Sequence, residues 1–228
     1  MKRDHGHQPE HSTTTDKDAR FWDKTARKYA AAAIADEAGF ERTLARTRAL
    51  MPASARVLEL GCGTGTAALR LADAAKSYLA TDLSTGMITI AEEKFAAPDH
   101  HGLQGRLRFR RATADALARE GDRYDVVIGF NVLHLVGDLP TVLGHVQALL
   151  VPGGLFISKT PCIGDMNPLI RLAVPVMQWV GLAPSVTTFS AEGLEQAIRT
   201  AGFDILASER HGSKQRDWRP FIVARVGA

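Results

Sequence analysis

Cysteine is scarce in this chain of 228 residues, which contains only Cys62 and Cys162. No C-x-x-C pair and no cysteine and histidine spacing typical of metal ligands occurs, so neither a disulfide scaffold nor a structural zinc site is expected. No run of 18 apolar residues is present, and the polar N-terminus does not resemble a signal peptide. These absences predict a cytoplasmic protein that does not insert stably into a membrane.

The chain also lacks a large excess of charge of one sign, since its formal net charge is +3. Nucleic-acid-binding domains usually cluster basic residues on one face. The nearest approach to such a cluster is Arg106, Arg108, Arg110 and Arg111, of which the first three would share one face of a strand. That face is either a solvated edge or an anion contact, and we expect no nucleic-acid partner.

Length and composition fit one folded domain preceded by a short tail. Apolar residues make up 45% of the chain and charged residues 23%, values that are ordinary for a globular protein. Residues 1–17 are polar and hold too few apolar side chains to offset the entropy lost on ordering. We therefore predict a disordered tail over 1–17 and a folded domain over 18–228.

Residues 57–66 join a buried-strand pattern to a glycine-rich turn and then to a helical pattern. The turn contains Gly61, Gly63 and Gly65, and a backbone without Cβ atoms can turn sharply and allow a ligand to approach closely. The third glycine stands one residue too early for a G-x-G-x-x-G dinucleotide cradle, and no lysine follows it as in a Walker loop. The alternatives are a purely structural turn and a cradle for another ligand, and the pattern favours the cradle.

The pattern Glu59-x-Gly61-x-Gly63-x-Gly65 resembles the first motif of the class I methyltransferases that use S-adenosylmethionine (SAM). Three more segments follow in the order of that family: residues 82–87 match its D-x-S-x-x-M pattern, residues 112–117 are similar to its A-D-A-x-x-L segment, and residues 150–154 match its L-x-P-G-G turn. Residues 21–29 are similar to the F-W-D-x-x-A-x-x-Y helix of small-molecule methyltransferases like those of quinone biosynthesis. The resemblance extends over about residues 21–226.

The fold that this resemblance implies is α/β, with a three-layer Rossmann-like architecture. Its sheet has seven mostly parallel strands and an antiparallel last strand, and a helical lid is added to it. The chain ends in two strand patterns, 204–209 and 220–226, whose short connection predicts a hairpin.

The sheet pattern lapses over about 160–190, and this insertion is predicted to form the lid. Residues 168–181 read as an apolar helix that is kinked at Pro175. Long insertions in compact domains usually carry function, so we expect Met177 and Trp179 to line an apolar acceptor pocket. The alternative is a helix that simply packs on the body of the domain.

The resemblance also implies a cofactor site. Asp82 ends a predicted strand 21 residues after Gly61 and would accept hydrogen bonds from ribose hydroxyls, while Leu83 would pack against the adenine. Asp115 would accept the adenine amine, and Asn131 would lie near the methionyl part. A helix cap is the alternative for both aspartates. The complete set of predicted cofactor-binding residues is Tyr29, Glu59, Gly61, Cys62, Gly63, Gly65, Asp82, Leu83, Met87, Ala114, Asp115 and Asn131.

The function implied is transfer of a methyl group from SAM to a small, partly apolar acceptor by in-line displacement, which needs mainly orientation and desolvation from the protein. An oxygen or carbon acid acceptor would also need a base, for which His134 is the first candidate and His211 the second. A histidine that packs in the core or caps a helix is the alternative. The rival functions are RNA or protein methylation and SAM binding by a regulatory protein without catalysis.

Overall fold

A computed structural model describes residues 11–167, 185–213 and 217–227 of the chain. The described helices are α1 (His11–Ala31), α2 (Glu37–Leu50), α3 (Thr66–Leu71), α4 (Thr85–Phe95), α5 (Ala114–Glu120), α6 (Leu139–Leu149) and α7 (Ala191–Thr200). The strands are β1 (Arg56–Leu60), β2 (Ser77–Asp82), β3 (Leu107–Arg111), β4 (Tyr124–Phe130), β5 (Leu150–Lys159), β6 (Phe203–Glu209) and β7 (Phe221–Val226).

These strands form one sheet in the order β3-β2-β1-β4-β5-β7-β6. β7 is antiparallel to both of its neighbours, and the other pairs are parallel. The predicted fold class is thereby confirmed, as is the hairpin of the last two strands. Because β1, β2, β4 and β5 are parallel, the residues that follow them meet at one edge of the sheet.

Both faces of the sheet are covered, which explains the apolar character of the central strands. Successive residues point to opposite faces, so Val57 and Ile128 belong to the core layer that includes parts of α2 and α3. Leu58 and Val127 belong to the layer that includes parts of α5, α6 and α7. The result is three layers, helix, sheet and helix.

Two helices begin earlier than their local patterns predict. α1 begins at His11, inside the predicted tail, and is held near its middle by Asp18, whose Oδ1 accepts a hydrogen bond from the amide of Ser185 at 3.0 Å. α2 begins at Glu37, ahead of the apolar repeat of Phe40, Leu44 and Thr47, because Asp36 caps it by accepting a hydrogen bond from the backbone amide of Gly39 at 2.9 Å. The contact of Asp18 with Ser185 crosses 167 positions, so local composition gives no sign of it.

Helix caps settle an alternative that the sequence leaves open. Thr113 caps α5 by accepting from the amide of Ala116 at 3.3 Å, so the alternative of Asp115 as that cap is wrong. Ser84 caps α4, and Ser190 caps α7. No helix in the described ranges combines the length and apolarity needed to cross a bilayer.

Some predictions fall on other parts of the chain. Residues 1–10 of the predicted tail lie outside the described residues. The apolar helix predicted over 168–181 also lies outside them, together with Pro175, Met177 and Trp179.

Candidate cofactor site

The carboxyl edge of the parallel strands borders a cavity of about 380 Å³. Nine of the twelve predicted cofactor-binding residues contribute to its wall. These nine are Tyr29, Glu59, Gly61, Cys62, Gly63, Asp82, Leu83, Met87 and Asn131. Gly65, Ala114 and Asp115 are not part of the wall, and the Asp115 carboxylate instead pairs with Arg119 at 2.7 Å and with His145 at 3.7 Å.

At two positions of the turn, the backbone conformation and the surrounding packing both require glycine. Gly61 has φ of 67°, and a Cβ built on it would lie 2.6 Å from Cγ2 of Val132. Gly65 has φ of 77°, and its Cβ would lie 2.8 Å from the ring of Phe109. An L side chain is strained at such φ values, and both positions also lack room for one. The turn is thus pressed closely onto the body of the domain.

Asp82 connects the glycine turn to the end of β2. Its Oδ2 accepts a hydrogen bond from the amide of Gly63 at 2.9 Å, and its Oδ1 accepts from the amide of Ser84 at 2.9 Å. Burial raises the pKa of the Asp82 carboxyl, although these backbone hydrogen bonds act in the opposite direction. Each oxygen retains a lone pair for a further donor, such as a ligand hydroxyl.

Glu59 places a second carboxyl beside the same turn. It is 2% exposed, and its Oε2 accepts a hydrogen bond from the Tyr78 hydroxyl at 2.9 Å. Burial raises the pKa of Glu59 to about 7, and the nearby Asp82 adds to the increase. Glu59 and the half-buried Asp82 thus place two carboxyl groups at this end of the cavity, which we call its acidic end.

Helix α1 covers the turn because it is tied to the start of α4. Asp23 Oδ1 accepts hydrogen bonds from the Ser84 hydroxyl at 2.6 Å and from the Gly86 amide at 2.8 Å. Both donors, Ser84 and Gly86, belong to the D-x-S-x-x-M segment. These bonds position Trp22 and Tyr29, which meet edge to face with their ring centroids 6.1 Å apart and line the cavity.

Asn131 directly follows β4 and has φ of 52°, the only positive value at a non-glycine position in the described part of the chain. Asparagine tolerates this conformation better than most residues. The backbone N–H of Asn131 donates to the backbone carbonyl oxygen of Lys159 at 2.7 Å. This bond holds the ends of β4 and β5 together. Backbone of this kind is concentrated at functional sites.

The opposite end of the cavity is cationic, and the sequence reasoning missed it. Lys159 ends β5, is buried, and donates from Nζ to Oγ1 of Thr43 at 2.9 Å. Arg219 precedes β7 and binds Asp217. Both cations line the cavity. The rule that selects Asp82, a charged residue at the carboxyl end of a parallel strand, would also have selected Lys159.

The two candidate bases lie outside the cavity wall. His134 belongs to a 3₁₀ turn, Leu133–Leu135, and burial lowers its pKa to about 4, which leaves the imidazole neutral at pH 7. Its Nδ1 has no hydrogen-bond partner within the described residues. His211 is buried with Nδ1 3.1 Å from Thr43 Oγ1 and Nε2 3.0 Å from Glu209 Oε2, so both of its ring nitrogens are engaged.

A family model for a methyltransferase domain matches residues 23–208, most of the chain. The chain belongs to this methyltransferase family. Its cofactor is S-adenosylmethionine, in agreement with the resemblance that the glycine turn suggested. The matched region begins at Asp23 and ends in β6, so it includes the whole acidic end of the cavity.

The methyltransferase is similar to segments of much longer curated proteins. It is 30% identical over 166 residues to the hybrid PKS-NRPS synthetase lepA of Aspergillus flavus, a match that covers 68% of this chain and 4% of that protein. It is 34% identical over 165 residues to the highly reducing polyketide synthase ACTTS3 of Alternaria alternata, covering 65% of this chain and 6% of that protein. The chain thus spans less than a tenth of the length of these relatives.

Solved structures share the fold at low identity. The DhpI–SAH complex has a TM-score of 0.70 at 20% identity, with coverage of 94% of this chain and 97% of that one. Magnesium protoporphyrin IX methyltransferase from Synechocystis with bound SAM has a TM-score of 0.67 at 17% identity, covering 98% and 100%. The CurJ carbon methyltransferase has a TM-score of 0.59 at 24% identity, covering 78% and 50%.

Proposed function

We propose that this methyltransferase transfers the methyl group of SAM to a small, partly apolar acceptor. The observation that carries the proposal is the single cavity that holds nine of the predicted cofactor residues together with an apolar wall. That wall includes Val132, Leu135 and Val136 beyond β4 and Ile34 after α1. An acceptor with an apolar body would bury surface there, and such burial contributes roughly 25 cal/mol per Å².

In this proposal the acidic end of the cavity holds the cofactor. The backbone of residues 61–65 faces its methionyl and ribose parts, Asp82 accepts hydrogen bonds from the ribose hydroxyls, and Leu83 packs against the adenine. When bound, SAM supplies a methyl group that is already activated on a sulfonium. The chain supplies orientation and exclusion of water, which together lower the barrier.

The proposed adenine contact of Ala114 and Asp115 carries an added requirement. The Asp115 side chain is 44% exposed and already pairs with Arg119 and His145. It would have to share its carboxylate between these partners and an adenine amine. A carboxylate has two oxygens that each accept more than one hydrogen bond, so the two uses are compatible.

We propose His134 as the base if the acceptor must lose a proton. Its pKa of about 4 keeps the ring neutral, and its Nδ1 lacks a partner among the described residues. The neighbouring Leu135 lines the cavity. His134→Gln should abolish turnover while leaving the affinity for S-adenosylhomocysteine (SAH) unchanged; loss of both would indicate a structural role instead.

Calorimetry with SAH tests the proposed cofactor contact. Asp82→Asn should weaken SAH binding by about 1.5–3 kcal/mol, the range for a hydrogen bond to a charged group. Asp204→Asn is a suitable control because Asp204 is an exposed residue of β6. Equal SAH affinities for the two variants would contradict the assignment of Asp82.

Turnover of labelled SAM with a panel of small metabolites tests the activity. Methylation of a small acceptor would support the proposal, whereas methylation of RNA or protein alone would favour that rival. SAH binding without turnover of any acceptor would favour a regulatory role. We also propose a cytoplasmic location, which agrees with the two free, buried cysteines.

A further inference from the structure

Lys159 is a cation in a buried position, where a charge is unfavourable in free energy. Its side chain is 9% exposed at the carboxyl end of a central strand. Burial lowers the pKa of the Lys159 ammonium; the carboxylates of Asp217 and Asp36 raise it, and the guanidinium groups of Arg219 and Arg42 lower it. A buried ammonium ion persists only where acceptors or anions stabilise it.

The protein groups around Lys159 use only part of its hydrogen-bonding capacity. Nζ donates to Thr43 Oγ1 at 2.9 Å, whereas Asp217 Oδ2 lies 3.8 Å away, beyond hydrogen-bond distance. That Asp217 oxygen already accepts from the Gly212 amide at 2.8 Å. An ammonium group has three donors, and Thr43 is the one acceptor recorded for it within the described residues.

Asp217 also serves a second cation. Its Oδ1 accepts from both the backbone N–H and Nε of Arg219, each at 3.2 Å. One carboxylate therefore stands between the ammonium of Lys159 and the guanidinium of Arg219. Both cations line the cavity, so their unused donors are available to a ligand in it.

This cationic end is separated from the cofactor end by two to three strands of the sheet. β5 lies two strands from β1 and three from β2, which corresponds to about 10 and 14 Å between their ends. The cavity accordingly has the carboxyl groups of Glu59 and Asp82 at one end, and the cations Lys159 and Arg219 with the carboxylate of Asp36 at the other. Phe40 and the alanines between α1 and α2 line its wall as well.

We propose that Lys159 and Arg219 bind an anionic oxygen group of the methyl acceptor, a carboxylate or a phosphate monoester, whose apolar body lies along the cavity wall. This inference rests on the proposed function, because it assigns the opposite end of the cavity to the cofactor. Lysine and arginine both donate strong charge-assisted hydrogen bonds to such oxygens. The anionic group of the acceptor would accept hydrogen bonds from the donors of Lys159 and Arg219 that Asp217 leaves unused.

The test uses three probes with the same eight-carbon chain: octanoate, octyl phosphate and the neutral octanamide. Each is titrated by calorimetry into the SAH-loaded protein, so that the cofactor end is already filled. At least one anion should bind about tenfold more tightly than octanamide, the ratio that corresponds to one charge-assisted hydrogen bond. The anion that binds more tightly shows whether the acceptor carries a carboxylate or a phosphate monoester.

Three variants locate the effect. Lys159→Met should remove the preference for the anion, and Arg219→Gln should reduce it, with SAH affinity unchanged in both. Arg219 is partly exposed, so its variant remains informative if Lys159→Met does not fold. Lys76→Met, at an exposed lysine, is the matched control and should retain the full preference.

Two results overturn the proposal: equal or absent binding of the anions to SAH-loaded wild type, and a preference that survives in Lys159→Met. A loss of SAH affinity in Lys159→Met also overturns it, because the cation would then bind the carboxylate of the cofactor. Failure of the wild-type protein to bind SAH is a separate outcome, which contradicts the proposed function itself.

Discussion

The two ends of the cavity are built in different ways. The acidic end takes its main residues from one stretch, 59–87, where strand, turn, strand and helix follow one another. The cationic end brings together Thr43, Lys159 and Arg219, and the hydrogen bond between the first two crosses 116 positions. A series of short motifs in one stretch specifies the first end, whereas only the completed sheet assembles the second. This contrast explains why the two ends should respond differently to substitution.

The largest expected effect is at the glycine turn. Gly61→Ala should lower the free energy of unfolding by about 2–4 kcal/mol, because a Cβ would be strained at φ of 67° and would also meet Val132 at 2.6 Å. Gly105→Ala is the matched control: its φ is 75° but nothing lies within 4 Å of its Cβ. Urea unfolding of both variants separates strain from steric contact.

If Gly61→Ala is no more destabilising than Gly105→Ala, the close packing of the turn does not contribute to stability. Our description of how the acidic end is built would then be contradicted. We expect SAH binding to be lost only in Gly61→Ala.

The next effect concerns the buried carboxyl of Glu59. Its pKa is about 7 in the folded protein and near the ordinary glutamate value in the unfolded chain, so the neutral form is the one that folding favours. The stability that results is present below about pH 4.5 and is lost as pH rises through 7, a change of about 2–3 kcal/mol. Glu59→Gln should remove this component, and urea unfolding between pH 4.5 and 8 measures it.

Only the difference between the two pH curves is diagnostic, because His134 acts in the opposite direction. Its depressed pKa of about 4 makes stability rise with pH between about 4 and 6.5 in both proteins. Parallel curves for wild type and Glu59→Gln would mean that folding does not shift the pKa of Glu59, which would contradict the burial of this carboxyl at the acidic end.

A smaller effect is expected at the cationic end. Thr43→Val keeps the shape of a buried residue but removes the hydroxyl that contacts Lys159 and His211. Leaving these groups unpaired should cost about 1–2 kcal/mol of unfolding free energy. SAH affinity should not change, since Thr43 lies on the other side of the cavity from Asp82, and calorimetry checks this. A matched loss of SAH affinity would show that the two ends are not independent.

The same distinction between local motifs and long-range contacts explains how much of the structure the sequence predicts. The fold class follows from short family motifs and the final hairpin from a local pattern, and the structure has both. The pairing of Asp18 with Ser185 and the pairing of Lys159 with Thr43 depend instead on partners far along the chain. No periodicity or motif within a short window contains that information.

His211 illustrates the limit at a single residue. From the sequence it is the second candidate base, but β6 and β7 bring it against α2, where Thr43 and Glu209 engage both nitrogens. The centroids of its ring and the Phe221 ring are 4.5 Å apart. A role as base would require it to leave these partners. The role of His134 as a base, in contrast, remains a prediction, and turnover by the His134→Gln variant tests it.

The most direct test of the central claim is titration of the purified protein with SAH. We predict saturable heat with one ligand bound per chain, reduced in Asp82→Asn and unchanged in Lys159→Met. The absence of any heat in the wild-type protein would contradict the claim that the acidic end of the cavity holds the cofactor.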